Sequence, residues 1–189
     1  MGNERSELKY MYLDKVKARL SELRIVHPDK IVPCTEEEVG ILEGKIGRSL
    51  PAAYREFLLW MGRGTGGLFS GSECLYWDLL SLQKSAIELM QEDGFMEPLP
   101  EDAFVFLMHQ GYQFNFFCTG EGNDPAVYYY LEEQTKSSIT TIYPHYSDFL
   151  LAAVEYNAKI IEHVAGLHPE KSKADPDFAR RVIDFEEQL

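Results

Sequence analysis

Between residues 8 and 24 the sequence LKYMYLDKVKARLSELR returns an apolar side chain every three or four positions. Leu8, Met11, Tyr12, Val16, Leu20 and Leu23 fall on one stripe with charges of both signs between them, which predicts an amphipathic helix ending before the prolines of HPDKIVPC. The clearest helix start follows. Thr35, with Glu38 three residues on, forms a capping box, and Glu36, Glu37 and Glu38 occupy the turn where the helix dipole favours negative charge. Val39, Leu42 and Ile46 give its inner face and Gly47 a left-handed stop. In SLPAAYREFLLWMG, Pro51 suits a first helical turn, and Leu50, Tyr54, Phe57, Leu58 and Met61 make a second stripe that closes at Gly62.

Beyond a glycine-rich loop, LFSGSECLYWDLLSL holds a short extended piece ending near Trp77 and Asp78. LQKSAIELMQEDGF then reads as a helix with Leu82, Ala86, Leu89 and Met90 inward and Gly94 as its stop. The period changes next. AFVFLMH, YQFNFFC, AVYYYL and SITTIY are rich in aromatic and β-branched residues and are separated by turn-forming stretches, which predicts a meander of antiparallel strands. Within it Tyr112, Phe114, Phe116 and Cys118 alternate with Gln113, Asn115 and Phe117, so the expected open face carries Gln113, Asn115, Phe117, Tyr128 and Tyr130. SDFLLAAVEYNAKIIEHVAG predicts a last long helix with Ser147 as N-cap and Gly166 as its end. In the tail, Asp175-Pro176 reads as cap and first position of a helix whose stripe is Phe178, Val182 and Phe185.

Gly62 to Gly67, GRGTGG, satisfies G-x-G-x-x-G literally, but it follows a helix where a dinucleotide fingerprint follows a strand, and no Lys-Ser/Thr pair completes a P-loop. The glycines are expected to permit a tight turn. Cys34, Cys74 and Cys118 lack metal or disulfide spacing, and His163 and His168 are five apart with Gly166 between them, so neither a metal nor a cofactor is expected. No G-x-S-x-G nucleophile elbow occurs. Cys118, His109 and Asn115 compose a papain-like set in name, but the strand reading sets Cys118 and Asn115 on opposite faces. The start, MGNERS, matches an N-myristoylation pattern without a polybasic second anchor, and it lacks the apolar region of a secretory signal. No membrane-spanning run is present either, so a cytoplasmic protein is expected.

Charge divides unevenly along the 189 residues. Residues 1–33 carry 7 Lys+Arg against 5 Asp+Glu, residues 34–157 carry 6 against 19, and residues 158–189 carry 5 against 7. The central segment therefore holds the negative charge, which disfavours nucleic acid and favours a basic partner.

From CTEEEVGILEGKIGRSLPAAYREFLLWMGRGTGG onward the chain resembles the SUKH superfamily, Smi-one/Knr-four type. The capped acidic helix, Leu50-Pro51 before a Tyr/Phe-rich helix and the glycine loop carry the likeness. So do Asp124-Pro125-Ala126-Val127-Tyr128 and the Ser147, Phe149, Leu150 helix. The resemblance covers roughly residues 34–157 and implies an α+β fold, an antiparallel sheet of about four to six strands backed by helices, without catalytic activity. Residues 1–33 and 158–189 are then helical extensions at the two ends. Bacterial members of the family are chiefly immunity proteins that neutralise toxins, often nucleases or deaminases; fungal members are regulators acting through protein contacts. The reading implied is a protein-binding module whose partner is a basic toxin domain, the alternative being a regulatory scaffold for cellular proteins. Expected exposure, charge and aromatic character nominate Trp77, Asp78, Asn115, Asp124, Tyr128, Tyr130 and Glu132 as partner-binding candidates.

Overall fold

A computed structural model describes residues 12–95, 97–132, 139–175 and 177–180. The first helix, α1 (Asp14–Leu23), buries Val16 and Leu20 and ends where Arg24 turns left-handed at φ 53°. The expected turn at Leu8 and Met11, the myristoylation pattern, and Val182 and Phe185 of the tail all lie outside the described residues. Glu56, on a later helix and only 1% exposed, caps the start of α1. Its carboxylate accepts the N–H groups of Tyr12 at 3.0 Å and Leu13 at 3.3 Å, and Lys17 Nζ at 2.6 Å. Buried charge is tolerable here because donors fill its lone pairs.

A short 3-10 turn, Pro28–Lys30, leads to β1 (Ile31–Val32). Then α2 (Glu36–Ile46) opens with the expected capping box of Thr35 and Glu38 and closes at Gly47, φ 69°. In α3 (Ala52–Met61) Pro51 stands at the N-cap position, one place before the expected one, and Ala53, Tyr54, Phe57, Leu58 and Met61 are buried. The glycine loop that follows forms β2 (Gly64–Thr65), which pairs antiparallel with β1. Its glycines answer steric demands. A Cβ at Gly62 would fall 2.6 Å from Cys34 Sγ, and Gly66 sits at φ 67°.

The extended piece expected to end near Trp77 is shorter: β3 is Ser72–Glu73, and Trp77 and Asp78 stand in the turn before α4 (Leu79–Glu92). Leu82, Ala86, Leu89 and Met90 form its buried stripe, and Gly94 follows at φ 70°. The strands β4 (Ala103–His109), β5 (Gln113–Cys118), β6 (Val127–Leu131) and β7 (Thr140–Tyr143) lie where the runs predict. With β3 they make a five-stranded antiparallel meander in the order β3-β4-β5-β6-β7. Then α5 (Tyr146–Leu167) continues through Gly166, and α6 (Pro169–Ala174) is a short helix that the sequence pattern does not predict.

The sheet is covered on both faces at β4 and β5, while β7 is exposed at Thr140, Thr141 and Ile142. Tyr54 of α3 and Tyr146 of α5 pack against Phe106 and Phe117 on one face. On the other, Phe95 beyond α4 meets Tyr130 edge-on, and Tyr130 stacks on Phe114 at 5.0 Å. The register Phe114↔Tyr130 and Phe116↔Tyr128 therefore separates Tyr128 and Tyr130 from Asn115 and Phe117, correcting the single open face expected from alternation. Phe114 through Cys118 are buried without interruption, as in a sheet with no solvent face. Gln83 of α4 completes the uncovered edge of β4: Val105 N–H donates to its Oε1 at 2.9 Å and its Nε2 donates to the Val105 carbonyl at 2.7 Å.

Candidate partner-binding surface

The nominated residues do not gather in one place. Asp124 sits in the loop before β6 and is occupied structurally. Its two oxygens accept the Ser147 N–H at 2.9 Å and the Ser147 hydroxyl at 2.6 Å, while His145 Nδ1 lies 3.0 Å from its carbonyl. Asn123, its neighbour, offers its carbonyl to the Ala53 N–H at 2.9 Å. One loop thus caps both α3 and α5, neither of which has a side-chain cap at its own N-cap residue. The expectation that Ser147 is the N-cap is corrected: α5 begins at Tyr146, and Ser147 is the residue being capped.

Tyr128 is half-buried beside the same loop, stacked on Phe116 at 5.1 Å. Its hydroxyl donates to Glu121 at 2.6 Å, and that bond first, then burial, pushes its pKa up to about 12. Tyr130 and Asn115, expected to be exposed, are 4% and 7% exposed. Tyr130 donates to Asp93 at 2.5 Å and ties the end of α4 to the sheet, with burial and then that bond raising its pKa. Glu132 is exposed beyond the other end of β6, its N–H bonded to the Tyr112 carbonyl at 2.9 Å.

Trp77 is different in kind. It is 59% exposed on a turn that is fixed from within. Asp78 Oδ2 accepts the Leu75 N–H at 3.1 Å, and the Asp78 carbonyl accepts the Ser81 hydroxyl at 2.6 Å. Burial raises the Asp78 pKa, and backbone hydrogen bonds from Leu75 and Cys74 oppose that rise. The Tyr76 hydroxyl donates to the Glu38 carbonyl at 3.0 Å, fastening the turn to α2. Asp78 is thus a turn residue and Trp77 is its exposed product.

From Trp77 the outer side of α4 continues with Leu80, 40% exposed, and Ile87, 47% exposed. These positions lie opposite the buried Leu82, Ala86 and Leu89 and recur at helical spacing. A hollow of about 440 Å³ runs beside them, lined by Ile46, Leu80, Ile87 and Leu99 and by charges of both signs, Lys45, Arg48, Glu101 and Asp102. It meets a smaller one of about 290 Å³ that shares Ile87 and Leu99. Leu80 and Ile87 were not among the sequence candidates, yet a signal existed: both are apolar residues on the side of α4 that its own buried stripe leaves to solvent.

The papain-like set of Cys118, His109 and Asn115 is not brought together. Cys118 pairs with Ala103 and His109 with Gln113, at opposite ends of the β4–β5 ladder. Among the described residues no group of three or more His, Cys, Asp and Glu is placed to hold a metal ion, and no helix is long and apolar enough to cross a membrane.

The sheet order, the capped α2 and the double-capping loop are features of the stretch that a family model, described as SMI1 / KNR4 family (SUKH-1), matches over residues 33–152. The chain belongs to this family. In this SUKH-1 chain the match opens just before the Thr35 cap and closes inside α5, so α1 stands outside it. Even so, α1 shares the domain's core: Leu13, Val16 and Leu20 join one buried cluster with Tyr54, Phe57 and Val154. A comparison of this SUKH-1 chain with curated proteins returns no match.

Proposed function

We propose that this chain is a non-enzymatic protein-binding module that neutralises a basic toxin domain of the nuclease or deaminase type by direct contact. Family membership supports a SUKH-type module as such. The observation that carries the surface assignment is the rigidly held, 59% exposed Trp77 at the head of the Leu80–Ile87 stripe. Tryptophan is the side chain most enriched at the energetic centre of protein interfaces. Acidic residues outnumber basic ones 31 to 18 in the chain, which favours encounter with a cationic partner. The partner then docks its apolar centre on α4 while acidic groups around the molecule accelerate approach.

Affinity capture on the full chain at low and moderate salt, followed by mass spectrometry, tests this reading. A stoichiometric basic toxin domain that is retained by the native chain, released by salt and lost with Trp77→Ala, is the expected result. Capture of housekeeping or signalling proteins in its place would replace toxin neutralisation with a regulatory scaffold. A measurable turnover by the chain alone would end the non-enzymatic reading.

A further inference from the structure

On the sheet face away from α4, a cleft of about 450 Å³ opens between α5 and the β4–β5 hairpin. Its size falls within the range of small-ligand pockets. Its chemistry is unlike the rest of the surface: no Asp, Glu, Lys or Arg lines it among the described residues, in a chain that is 26% charged.

The polar groups that line it converge from four elements. Ser72 Oγ of β3 lies 2.9 Å from His109 Nδ1 of β4. Gln113 of β5 accepts the Tyr129 hydroxyl at 2.5 Å through Oε1, which leaves its amide N–H groups as the donors toward a guest. Asn157 of α5 donates to the Leu68 and Ala153 carbonyls, both at 3.0 Å, which leaves its Oδ1 as acceptor. Asn115 is 93% buried against these and reaches the Tyr128 carbonyl only at 3.5 Å, the outer limit of a hydrogen bond. This amide is weakly engaged, and a guest that covered it without hydrogen-bonding groups would leave it poorly paired.

The walls are aromatic. Phe69 and Phe149 stack at 6.1 Å, Tyr143 meets Phe149 edge-on, and Tyr156 stands 65% exposed at the rim. An ion entering the cleft would lose its hydration and find no carboxylate, ammonium or guanidinium group among the described lining residues. An aliphatic group would fill space and leave Asn115 with only its long bond to Tyr128. A flat ring with a polar tip satisfies both demands.

We infer that this cleft is a second docking site, on the opposite side of the sheet from α4, which receives a tyrosine or tryptophan side chain presented by a protein partner. The inference rests on the reading of the chain as a protein-binding module and adds an uncharged anchor to it. Steering is left to the acidic surface, and fixing is done by a pocket without Asp, Glu, Lys or Arg among the described residues.

The test uses the isotope-labelled full chain and needs no natural partner. N-acetyl-tyrosinamide and N-acetyl-tryptophanamide are titrated by NMR beside N-acetyl-leucinamide, N-acetyl-lysinamide and uridine. The expected result is saturable shifts for the two aromatic amides at the backbone signals of Ser72, His109, Asn115 and Asn157. Ala153→Phe, which fills the cleft from α5, is expected to weaken that binding by about tenfold or more. Its fold is checked by the unchanged signals of α4. Equal binding of uridine would make the cleft a pocket for planar heterocycles and overturn the assignment to a protein partner. Absence of shifts with both aromatic amides, or shifts that Ala153→Phe leaves unchanged, would overturn the site itself. Either failure would leave the Trp77 capture experiment unaffected, so the two readings fall separately.

Discussion

The Asp124 carboxylate spans Ser147, taking its N–H at 2.9 Å and its hydroxyl at 2.6 Å, across 23 positions of chain. Through this contact the loop before β6 holds the first turn of α5. Asp124→Ala removes a helix cap and is expected to cost about 1–2 kcal/mol, whereas Asp124→Asn, which keeps an accepting oxygen, should cost less than half of that. Urea denaturation of both variants decides. Equal losses would mean that the charge and not the cap is what matters.

Much of this fold is legible where the signal is local. The Thr35–Glu38 box, the stops at Gly47 and Gly94 and the aromatic strand runs all depend on residues within a few positions of one another, and all lie as expected. Long-range partners are not legible. Ser147 reads as an N-cap because serine at a helix start usually is one, and nothing near it in sequence reveals the Asp124 carboxylate. Glu56 is not on the apolar stripe that the sequence shows for α3, and only the fold brings Tyr12, Leu13 and Lys17 to it. The exposure expected of Asn115 and Tyr130 is not found, for a third reason: alternation marks an open face only when one face is open, and the sheet is covered on both sides at these residues.

Tyr54 is fully buried among Phe57, Phe104, Phe117 and Tyr146, and its hydroxyl has no hydrogen-bond partner among the described residues. Burial raises its pKa well above the ordinary tyrosine value. Tyr54→Phe deletes an unsatisfied polar group and keeps the ring packing, so it is expected to stabilise the chain by about 1 kcal/mol. A thermal or urea melt showing a clear loss would reveal that the hydroxyl has a partner, such as a bound water.

Burial pushes the thiols of Cys34, Cys74 and Cys118 up to about 12. The folded chain therefore holds these protons where the unfolded chain releases them, near the ordinary thiol value of about 8.5. Their contribution to stability is fully present below that value and is lost as pH rises toward 12. The native protein is expected to be unreactive toward a disulfide reagent at neutral pH, and its denaturation midpoint should fall with alkaline titration. A thiol that reacts before unfolding would show that its site opens locally.

The proposed partner surface centres on Trp77, which the fold does not depend on. Because it is 59% exposed, Trp77→Ala is expected to change stability by less than about 1 kcal/mol. At an interface centre the same change costs about 2 kcal/mol or more, roughly thirtyfold in affinity for the captured partner. Leu80→Ser should act in the same direction with smaller effect. Isothermal titration and a urea melt on the same preparation separate the two effects; unchanged affinity would remove the α4 face from the proposed site.

Electrostatic steering makes a different demand, because it acts before contact and over many residues. Asp124 is unsuited to testing it, since reversing that charge also breaks the cap on α5. Glu73 and Glu132 are exposed at β3 and beyond β6, and neither side chain caps a helix. The double change of Glu73→Lys and Glu132→Lys shifts the net charge by four units, from −13 to −9. Association with a basic partner should then slow by a few-fold at low salt, with a shallower dependence on ionic strength and a nearly unchanged dissociation rate. Stopped-flow association across a salt series measures both. If the double variant instead dissociates faster while associating normally, these carboxylates touch the partner directly, and the contact surface extends beyond the α4 face to the ends of the sheet.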